Sequence, residues 1–239
     1  RARSGLYQFK SLVITVNDTS PPHFGAQYFR DDLRNRDDRE GSLRGLVLGS
    51  GDGSEVSYFS EELDRAEIFG VDVKKPETST ERILQGKAET LPFEDDHFDF
   101  IFYHHVIEHV EDPQKTLSEV ARVLSPGGVL FVGTPNRCRL LGYLGSPDAS
   151  LAEKISWNWT DYKKRLAGEF RNELGAHAGF SSRELEGMLN RHFQQVNEIT
   201  VDYLQEKYSG GLKSLVSELL DVAVFKEFLS PSVYFLAEN

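Results

Sequence analysis

A glycine-rich turn directly after an apolar run places the strongest constraint on how this chain folds. Residues 43–48 have the composition of a buried strand, Gly49-Ser-Gly-Asp-Gly53 follows at once, and residues 54–65 suit a helix. Glycine permits the positive φ angles of a sharp turn and lets a ligand approach the backbone. The helix N-terminus adds N–H groups and a partial positive charge. The sequence therefore predicts a strand–turn–helix unit suited to a phosphate or carboxylate.

Strands and helices alternate along the chain after this unit. Short apolar runs predict strands over residues 66–71, 82–85, 98–103 and 129–132. Before the last of these, a helix is indicated by apolar residues at i, i+3, i+4 and i+7, namely Leu117, Val120, Ala121 and Leu124. Asp112 and Pro113 suit its start, and Ser125-Pro-Gly-Gly128 suits its end. This alternation predicts an α/β fold with a mostly parallel sheet that helices cover on both faces.

The remaining segments define the predicted domain organisation. Residues 1–43 are interpreted as an N-terminal preamble with cap helices, including a mixed-charge solvated helix or linker over 30–40. The main domain spans 44–239. Within it, residues 137–180 interrupt the alternation of strands and helices and are interpreted as a lid insertion. The later pattern predicts a helix over 181–190, a strand over 196–201, a helical stretch over 204–229 and a strand over 231–236.

Composition excludes several classes of protein. The chain has 239 residues, one cysteine (Cys138) and a formal net charge of −11. A lone cysteine excludes an internal disulfide framework and fits a reducing, cytoplasmic compartment. No apolar run approaches the roughly 20 residues of a spanning helix, so no membrane partner is expected. The acidic charge argues against a nucleic-acid partner. Because the chain begins at Arg1, the printed start is not expected to be the biological one.

Asp72 follows the second predicted strand, 19 residues after Gly53. A carboxylate at that position can accept hydrogen bonds from both hydroxyls of a ribose. The glycine spacing disfavours a dinucleotide, because the third glycine comes at the fifth position of the motif and Ser54 holds the sixth.

His105-Val-Ile-Glu-His109 matches the reversed zinc-protease pattern. Such a site needs a third, distant ligand, and none stands out in the sequence. We therefore predict no metal site.

Six motifs occur in order: Gly45-Leu-Val-Leu-Gly-Ser-Gly-Asp-Gly53, Phe69-Gly-Val-Asp-Val73, Gly86-Lys-Ala-Glu-Thr-Leu-Pro-Phe93, residues 98–110, Glu119-Val-Ala-Arg-Val-Leu-Ser-Pro-Gly-Gly128 and Gly133-Thr-Pro-Asn136. In this order they resemble the class I S-adenosylmethionine-dependent methyltransferases, in the subgroup that methylates small molecules. The resemblance is strong over residues 44–136. It implies a Rossmann-like, doubly wound sheet of seven strands with the last one antiparallel, and S-adenosyl-L-methionine as the cofactor.

The resemblance also implies which residues bind that cofactor. The methionine and ribose portion is assigned to Gly49, Ser50, Gly51 and Gly53, and the ribose hydroxyls to Asp72, followed by Val73. The adenine is assigned to Ala88 and Glu89, with Leu91 nearby. His104 and His105 are placed at the end of the fourth strand, beside the sulfonium. Two positions depart from the family pattern, because Val47 and Lys87 stand where acidic residues are usual. Each lost charged hydrogen bond costs roughly 1.5–3 kcal/mol.

Three histidines are candidates for the base that an alcohol acceptor requires: His105, His109 and His177. A resemblance to ubiquinone-biosynthesis O-methyltransferases raises a minority alternative, a divalent metal at His105, Glu108 and His109. The acceptor pocket is expected within residues 137–180. There Trp157, Trp159, Asp161 and Tyr162 either line the pocket or pack a lid.

The sequence thus predicts an S-adenosylmethionine-dependent O-methyltransferase whose partner is a small polar acceptor, such as a sugar or a secondary metabolite. One alternative is methylation of a quinone or another lipid-like ring. Another is a degenerate protein that binds the cofactor without catalysis.

Overall fold

A seven-stranded sheet forms the centre of this computed structural model, which describes residues 24–36, 41–74, 82–143, 149–174, 177–208 and 227–239. Its strands are β1 (Leu43–Leu48), β2 (Ala66–Asp72), β3 (Ile83–Gln85), β4 (Phe98–His104), β5 (Leu124–Pro135), β6 (Gln195–Glu198) and β7 (Ser232–Glu238). They lie in the order β3-β2-β1-β4-β5-β7-β6. Neighbours from β3 to β5 are parallel, and β7 is antiparallel to both β5 and β6. The predicted doubly wound sheet with an antiparallel last strand is confirmed.

Among the described residues, six helices of eight or more residues accompany the sheet: α1 (Phe24–Arg36), α2 (Ser54–Glu62), α3 (Pro113–Val123), α4 (Leu151–Leu166), α5 (Ser182–Leu189) and α6 (Thr200–Lys207). The predicted start of α3 is confirmed, because the Asp112 carboxylate accepts the N–H of Lys115 at 3.0 Å and Pro113 is the first helical residue. A short 3-10 turn, Ile107–His109, lies between β4 and α3.

Two apolar layers sandwich the sheet, as the nearly continuous apolar composition of β4 requires. Successive side chains of a strand point to opposite faces. Ile101 and Tyr103 therefore join one buried cluster, with Leu117 of α3 and Leu185 of α5. On the other face, the buried cluster contains Phe100 and Phe102 of β4, Phe29 of α1, Phe59 of α2 and Tyr203 of α6.

Helix α1 is the part of the preamble that the structure describes. Its residues Ala26, Phe29 and Leu33 are buried, and the Phe29 ring lies 5.8 Å from the Phe100 ring. Arg30 Nη1 contacts Glu62 of α2 at 2.6 Å. The mixed-charge segment is thus partly a helix with one packed face, whereas residues 1–23 and 37–40 lie outside the described residues.

Three predicted boundaries shift in the structure. Helix α2 ends at Glu62 rather than residue 65. Strand β5 begins at Leu124, because residues 125–128 form an irregularity in its pairing with β4 instead of a loop. The strand predicted over 196–201 ends at Glu198, and Thr200 starts α6, because Thr200, Tyr203 and Leu204 bury one helical face. Residues 209–226 of the helical stretch predicted over 204–229 lie outside the described residues.

Within the described part of the chain, every helix is too short or too polar to cross a lipid bilayer.

Candidate functional site

The candidate site lies where the strand order reverses, between β1 and β4. One half of the sheet grows from β1 towards β3, and the other grows from β4 towards β6. In such sheets a crevice opens at the carboxyl ends of the two central strands. The glycine turn follows β1, Asp72 ends β2 and His104 ends β4. The topology therefore brings the three predicted segments to one edge of the sheet.

The glycine turn depends on backbone angles that other residues rarely adopt. Gly49 has a φ of +71°, and a Cβ built on it would lie 2.2 Å from Val106 Cγ2. Gly51 has a φ of +51°, and a Cβ there would meet nothing within 4 Å. The turn is thus closed on the side of Val106 and open at Gly51, which leaves room for a ligand against its backbone.

Asp72 is held in position by two backbone N–H groups. Its Oδ2 accepts the N–H of Gly51 at 2.9 Å, and its Oδ1 accepts the N–H of Lys74 at 2.9 Å. A carboxylate has about four lone-pair sites, so acceptor capacity remains for the two hydroxyls of a ribose. The oriented carboxylate beside the open glycine turn fits the nucleoside part of S-adenosylmethionine.

The predicted adenine side lies along the 86–91 segment. Val73 is 62% exposed and offers an apolar surface at the end of β2. Ala88 is half-buried, and Glu89 Oε1 accepts the N–H of Glu111 at 3.0 Å. Lys87, at the position of the usual carboxylate, pairs with Glu111 at 3.1 Å. This segment is therefore tied to the chain that follows the 3-10 turn.

Leu91 and Val47 both have packing roles in the structure. Val47, like Lys87, stands where the family pattern has an acidic residue. Leu91 is 5% exposed and belongs to a buried cluster. Its backbone N–H donates to Glu119 Oε2 at 2.9 Å. Val47 is buried in the other cluster, behind the glycine turn. The contact of Leu91 with adenine stays a prediction.

His104 and Ser50 support the edge of the site from inside. The His104 ring lies 5.6 Å from the Phe102 ring and 5.9 Å from the Tyr234 ring, stacked on both. Ser50 is 1% exposed, and its Oγ lies so close to Gly70 that a Cβ there would come within 2.8 Å. Both residues are thus fixed by packing at the carboxyl ends of the central strands.

A buried carboxylate, Glu108, lies behind His105. Thr134 Oγ1 donates to Glu108 Oε2 at 2.9 Å, and His105 Nδ1 lies 3.5 Å from Glu108 Oε1. Burial opposes ionisation of Glu108. The hydrogen bond and charge of His105, with the Thr134 hydroxyl, outweigh that effect and lower the Glu108 pKa below 4.5. Glu108 is therefore an anion that orients the His105 ring.

His105 itself has a strained backbone next to the glycine turn. Its φ is +55°, and its N–H donates to the carbonyl of Gly133 in β5 at 2.8 Å. The adjacent residue, Val106, packs on Gly49. A non-glycine residue in this conformation costs of order 1–3 kcal/mol, and such strain clusters at functional sites. The ring remains 34% exposed, so a ligand can reach it.

The other two candidate histidines form a pair. The rings of His109 and His177 lie 4.8 Å apart, edge to face. Burial, and then the proximity of His109, lower the pKa of His177 below its usual 6.5. His109 Nε2 is 4.0 Å from Glu108 Oε1. The structure thus brings all three predicted histidines to one side of Glu108.

The minority hypothesis of a metal at His105, Glu108 and His109 gains no support. Among the residues that the structure describes, no group of three His, Cys, Asp or Glu side chains has an arrangement that holds a metal ion.

The four side chains expected at the acceptor pocket have different surroundings in the structure. Asp161 pairs with Arg139 Nη2 at 3.1 Å, and the hydroxyl of Tyr162 donates to the carbonyl of Leu140. The Trp157 ring lies 5.1 Å from the Tyr143 ring, and Trp159 is 62% exposed. These contacts attach α4 to the segment after β5.

Three supporting residues escaped the sequence interpretation: Val106, Thr134 and Tyr234. Thr134 lies in the Gly133-Thr-Pro-Asn136 motif and Val106 between the candidate histidines, so position in a motif was an available signal. Tyr234 faces His104 only because β7 pairs with β5. The sequence contains no local signal for that pairing.

The comparisons with known proteins agree with this geometry. Residues 46–132, from β1 to β5, match the family model described as a methyltransferase domain. Over these residues the chain is thus similar to a methyltransferase domain. The resemblance stated from the six motifs, and the cofactor that it implied, are confirmed.

Relatives and solved structures similar to the methyltransferase domain vary in how much they cover. An uncharacterized protein of Methanocaldococcus jannaschii is 35% identical over 104 residues, which are 41% of this chain and 48% of that protein. The chain thus spans about half the length of that relative. A ubiquinone biosynthesis O-methyltransferase of Pseudomonas entomophila is 28% identical over 171 residues, 67% of this chain and 68% of that protein.

Solved structures confirm the fold. YcgJ of Bacillus subtilis has a TM-score of 0.52 and 18% identity, over 89% of this chain and 98% of that one. Phosphoethanolamine N-methyltransferase 2 of Haemonchus contortus, in complex with S-adenosyl-L-methionine, has a TM-score of 0.52 and 16% identity, over 89% of this chain and 52% of that one.

Proposed function

We propose that this protein transfers a methyl group from S-adenosylmethionine to a hydroxyl of a small polar acceptor, such as a sugar or a secondary metabolite. The observation that carries the proposal is the packing of Val106 on Gly49. It brings His105, with the Glu108 carboxylate behind it, next to the glycine turn. A candidate base therefore adjoins the candidate cofactor cradle.

The cofactor, when bound, supplies a methyl group activated on a sulfonium. The work of the chain is to hold and align the reactants, which lowers the entropic part of the barrier. We assign the methionine and ribose portion of the cofactor to the turn at Gly49, Gly51 and Gly53, its ribose hydroxyls to Asp72, and its adenine to the segment at Ala88 and Glu89. Val73 contributes apolar surface for the base.

An alcohol must lose its proton as the methyl group is transferred, and we assign that proton to His105. The imidazolium that forms is stabilised by the ionised Glu108, 3.5 Å from His105 Nδ1. His109 and His177 are the alternative bases. The lowered pKa of His177 keeps that ring neutral at physiological pH, as a base must be.

A second candidate acceptor is a quinone or another lipid-like ring. The relative from Pseudomonas entomophila is named a ubiquinone biosynthesis O-methyltransferase, and 68% of its length is covered. The Glu108-His109 pair resembles that group as well. Phenolic hydroxyls are more acidic than sugar hydroxyls, so a quinol-type acceptor would depend less on His105.

The proposal is tested by turnover of the intact protein with S-adenosylmethionine and a panel of sugars, phenols and catechols. We expect S-adenosylhomocysteine to form with at least one hydroxyl acceptor, and His105→Ala to lower kcat by about 10²–10⁴-fold. His192→Ala is a matched control, because His192 contacts Gln114 at 3.3 Å, away from the glycine turn. Cofactor binding without turnover across the panel would favour a non-catalytic binder and contradict the proposal.

A further inference from the structure

Helix α4 presents its apolar side chains to solvent. Leu151 is 75% exposed, Ile155 61%, Trp159 62% and Leu166 91%. Their spacings of four, four and seven residues place them on one side of a helix. Of the sixteen residues of α4, all described, none is buried. The four side chains form an outward apolar stripe about 24 Å long, at 1.5 Å per residue.

The side of α4 that adjoins the stripe beyond Leu151 holds the helix on the protein through polar contacts. Asn158 Oδ1 accepts the N–H of Gly142 at 2.7 Å. Asp161 pairs with Arg139, whose side chain is 4% exposed. Arg165 donates to the carbonyl of Arg139 at 3.0 Å. An ordinary surface helix turns its apolar side to the core, whereas α4 turns its apolar side to solvent. The polar contacts to the protein fix that orientation.

One lysine adjoins the apolar stripe. At 100° per residue, Lys163 lies just beyond Ala152 at the Trp159 edge of the stripe, whereas the half-buried Lys154 lies on the side that contacts the protein. Lys163 Nζ lies 5.5 Å from the centre of the Trp159 ring. The acidic residues lie off the stripe, since Glu153 bonds Ser150 in a capping box and Asp161 pairs with Arg139. Aliphatic and tryptophan side chains beside a lysine are typical of helices that lie in a membrane interface.

The size of the stripe argues against a second copy of this chain as its occupant. A stripe 24 Å long and about 10 Å wide covers a few hundred Å², whereas a stable protein interface takes about 800 Å² from each partner. A bilayer needs no matching surface, because apolar side chains insert between headgroups and lysines extend to the phosphates. The attraction is local, since charges beyond about 10 Å are screened at ordinary salt.

We propose that α4 docks on the surface of a lipid bilayer, with Leu151, Ile155, Trp159 and Leu166 inserted and Lys163 at an anionic headgroup. This inference does not rest on the proposed function, and it departs from the sequence-based expectation of no membrane partner. It involves no segment that crosses the bilayer.

Co-sedimentation of the full chain with vesicles of phosphatidylcholine and phosphatidylglycerol tests the docking. We expect Ile155→Ser with Trp159→Ser to weaken partitioning at least tenfold, while cofactor binding and circular dichroism stay unchanged because both side chains point outwards. Lys163→Glu should weaken binding severalfold at low salt. No sedimentation of the unaltered chain, or sedimentation that the serine pair leaves unchanged, would overturn the proposal.

Tryptophan fluorescence distinguishes a bilayer from other binding partners of the stripe. The chain has two tryptophans, so each can be observed alone after the other is replaced. In Trp157→Phe, which retains Trp159, vesicles should shift emission to the blue and brominated lipid should quench it. In the matched variant Trp159→Phe, Trp157 packs on Tyr143 and should change little. Trp159 shielded from acrylamide without vesicles would mean that another part of the chain covers it. Self-association abolished by the serine pair would mean a second copy. Either result would overturn the proposal.

Discussion

At the scale of single residues, we propose that cofactor recognition depends most on the Asp72 carboxylate. Two backbone N–H groups orient it at the end of β2, beside the open side of the glycine turn. We predict that Asp72→Ala weakens binding of S-adenosylhomocysteine by about ten- to hundredfold, because charged hydrogen bonds contribute roughly 1.5–3 kcal/mol. Isothermal titration calorimetry measures this change. Asp64→Ala removes an equal charge from an exposed position and should bind normally. Equal affinities for both variants would refute the ribose assignment.

The buried Glu108 carboxylate should make stability depend on acid pH. Its folded pKa lies below the ordinary value of 4.5, so its stabilisation is complete above pH 4.5 and is lost as pH falls through the folded pKa. We predict that Glu108→Gln flattens the decline of the unfolding free energy as the pH falls below about 4.5. Urea unfolding followed by circular dichroism measures it. Glu186→Gln, at an exposed site on α5, should decline like the unaltered chain.

At the scale of elements, the glycine turn and α5 respond oppositely to the same substitution. Gly49→Ala places a Cβ against Val106 at a φ of +71°, so we predict destabilisation by about 1–3 kcal/mol and weaker cofactor binding. Gly187→Ala, inside α5 with nothing within 4 Å, should stabilise by about 0.5–1 kcal/mol. Urea unfolding measures both. The double variant Gly49→Ala with Val106→Ala should recover only the stability lost through the steric clash, and not the stability lost through the positive φ angle. A neutral Gly49→Ala would show that the turn is not constrained as described.

Elements with local signals were predictable from the sequence, and those set by distant contacts were not. The start of α3 followed from Asp112 and Pro113 because capping is a local interaction. The residues after Glu198 resembled a strand, yet Tyr203 stacks on Tyr234 at 3.8 Å and requires a helix there. For the same reason the placement of Asp72 beside the glycine turn was predictable, whereas the contact of Thr134 with Glu108 was not.

At the scale of the whole molecule, helix α1 packs into the hydrophobic core and does not lie outside it. Phe29 is fully buried between α2 and the sheet, with ring centres 6.3 Å from Phe59 and 5.8 Å from Phe100. We predict that Phe29→Ala lowers the free energy of unfolding by about 3–5 kcal/mol. Chemical denaturation measures it, and Arg34→Ala, on the exposed side of α1, should cost less than about 1 kcal/mol. A loss of similar size in both variants would mean that α1 does not pack as described.

The central claim is that the crevice between β1 and β4 binds S-adenosylmethionine. Calorimetric titration of the intact protein with S-adenosylhomocysteine, the product left after methyl transfer, tests it without knowledge of the acceptor. We predict saturable binding of one ligand per chain, lost or strongly weakened in Asp72→Ala. The claim would be contradicted if no heat of binding were seen up to about millimolar ligand. That result would limit the binding free energy to about −4 kcal/mol or weaker.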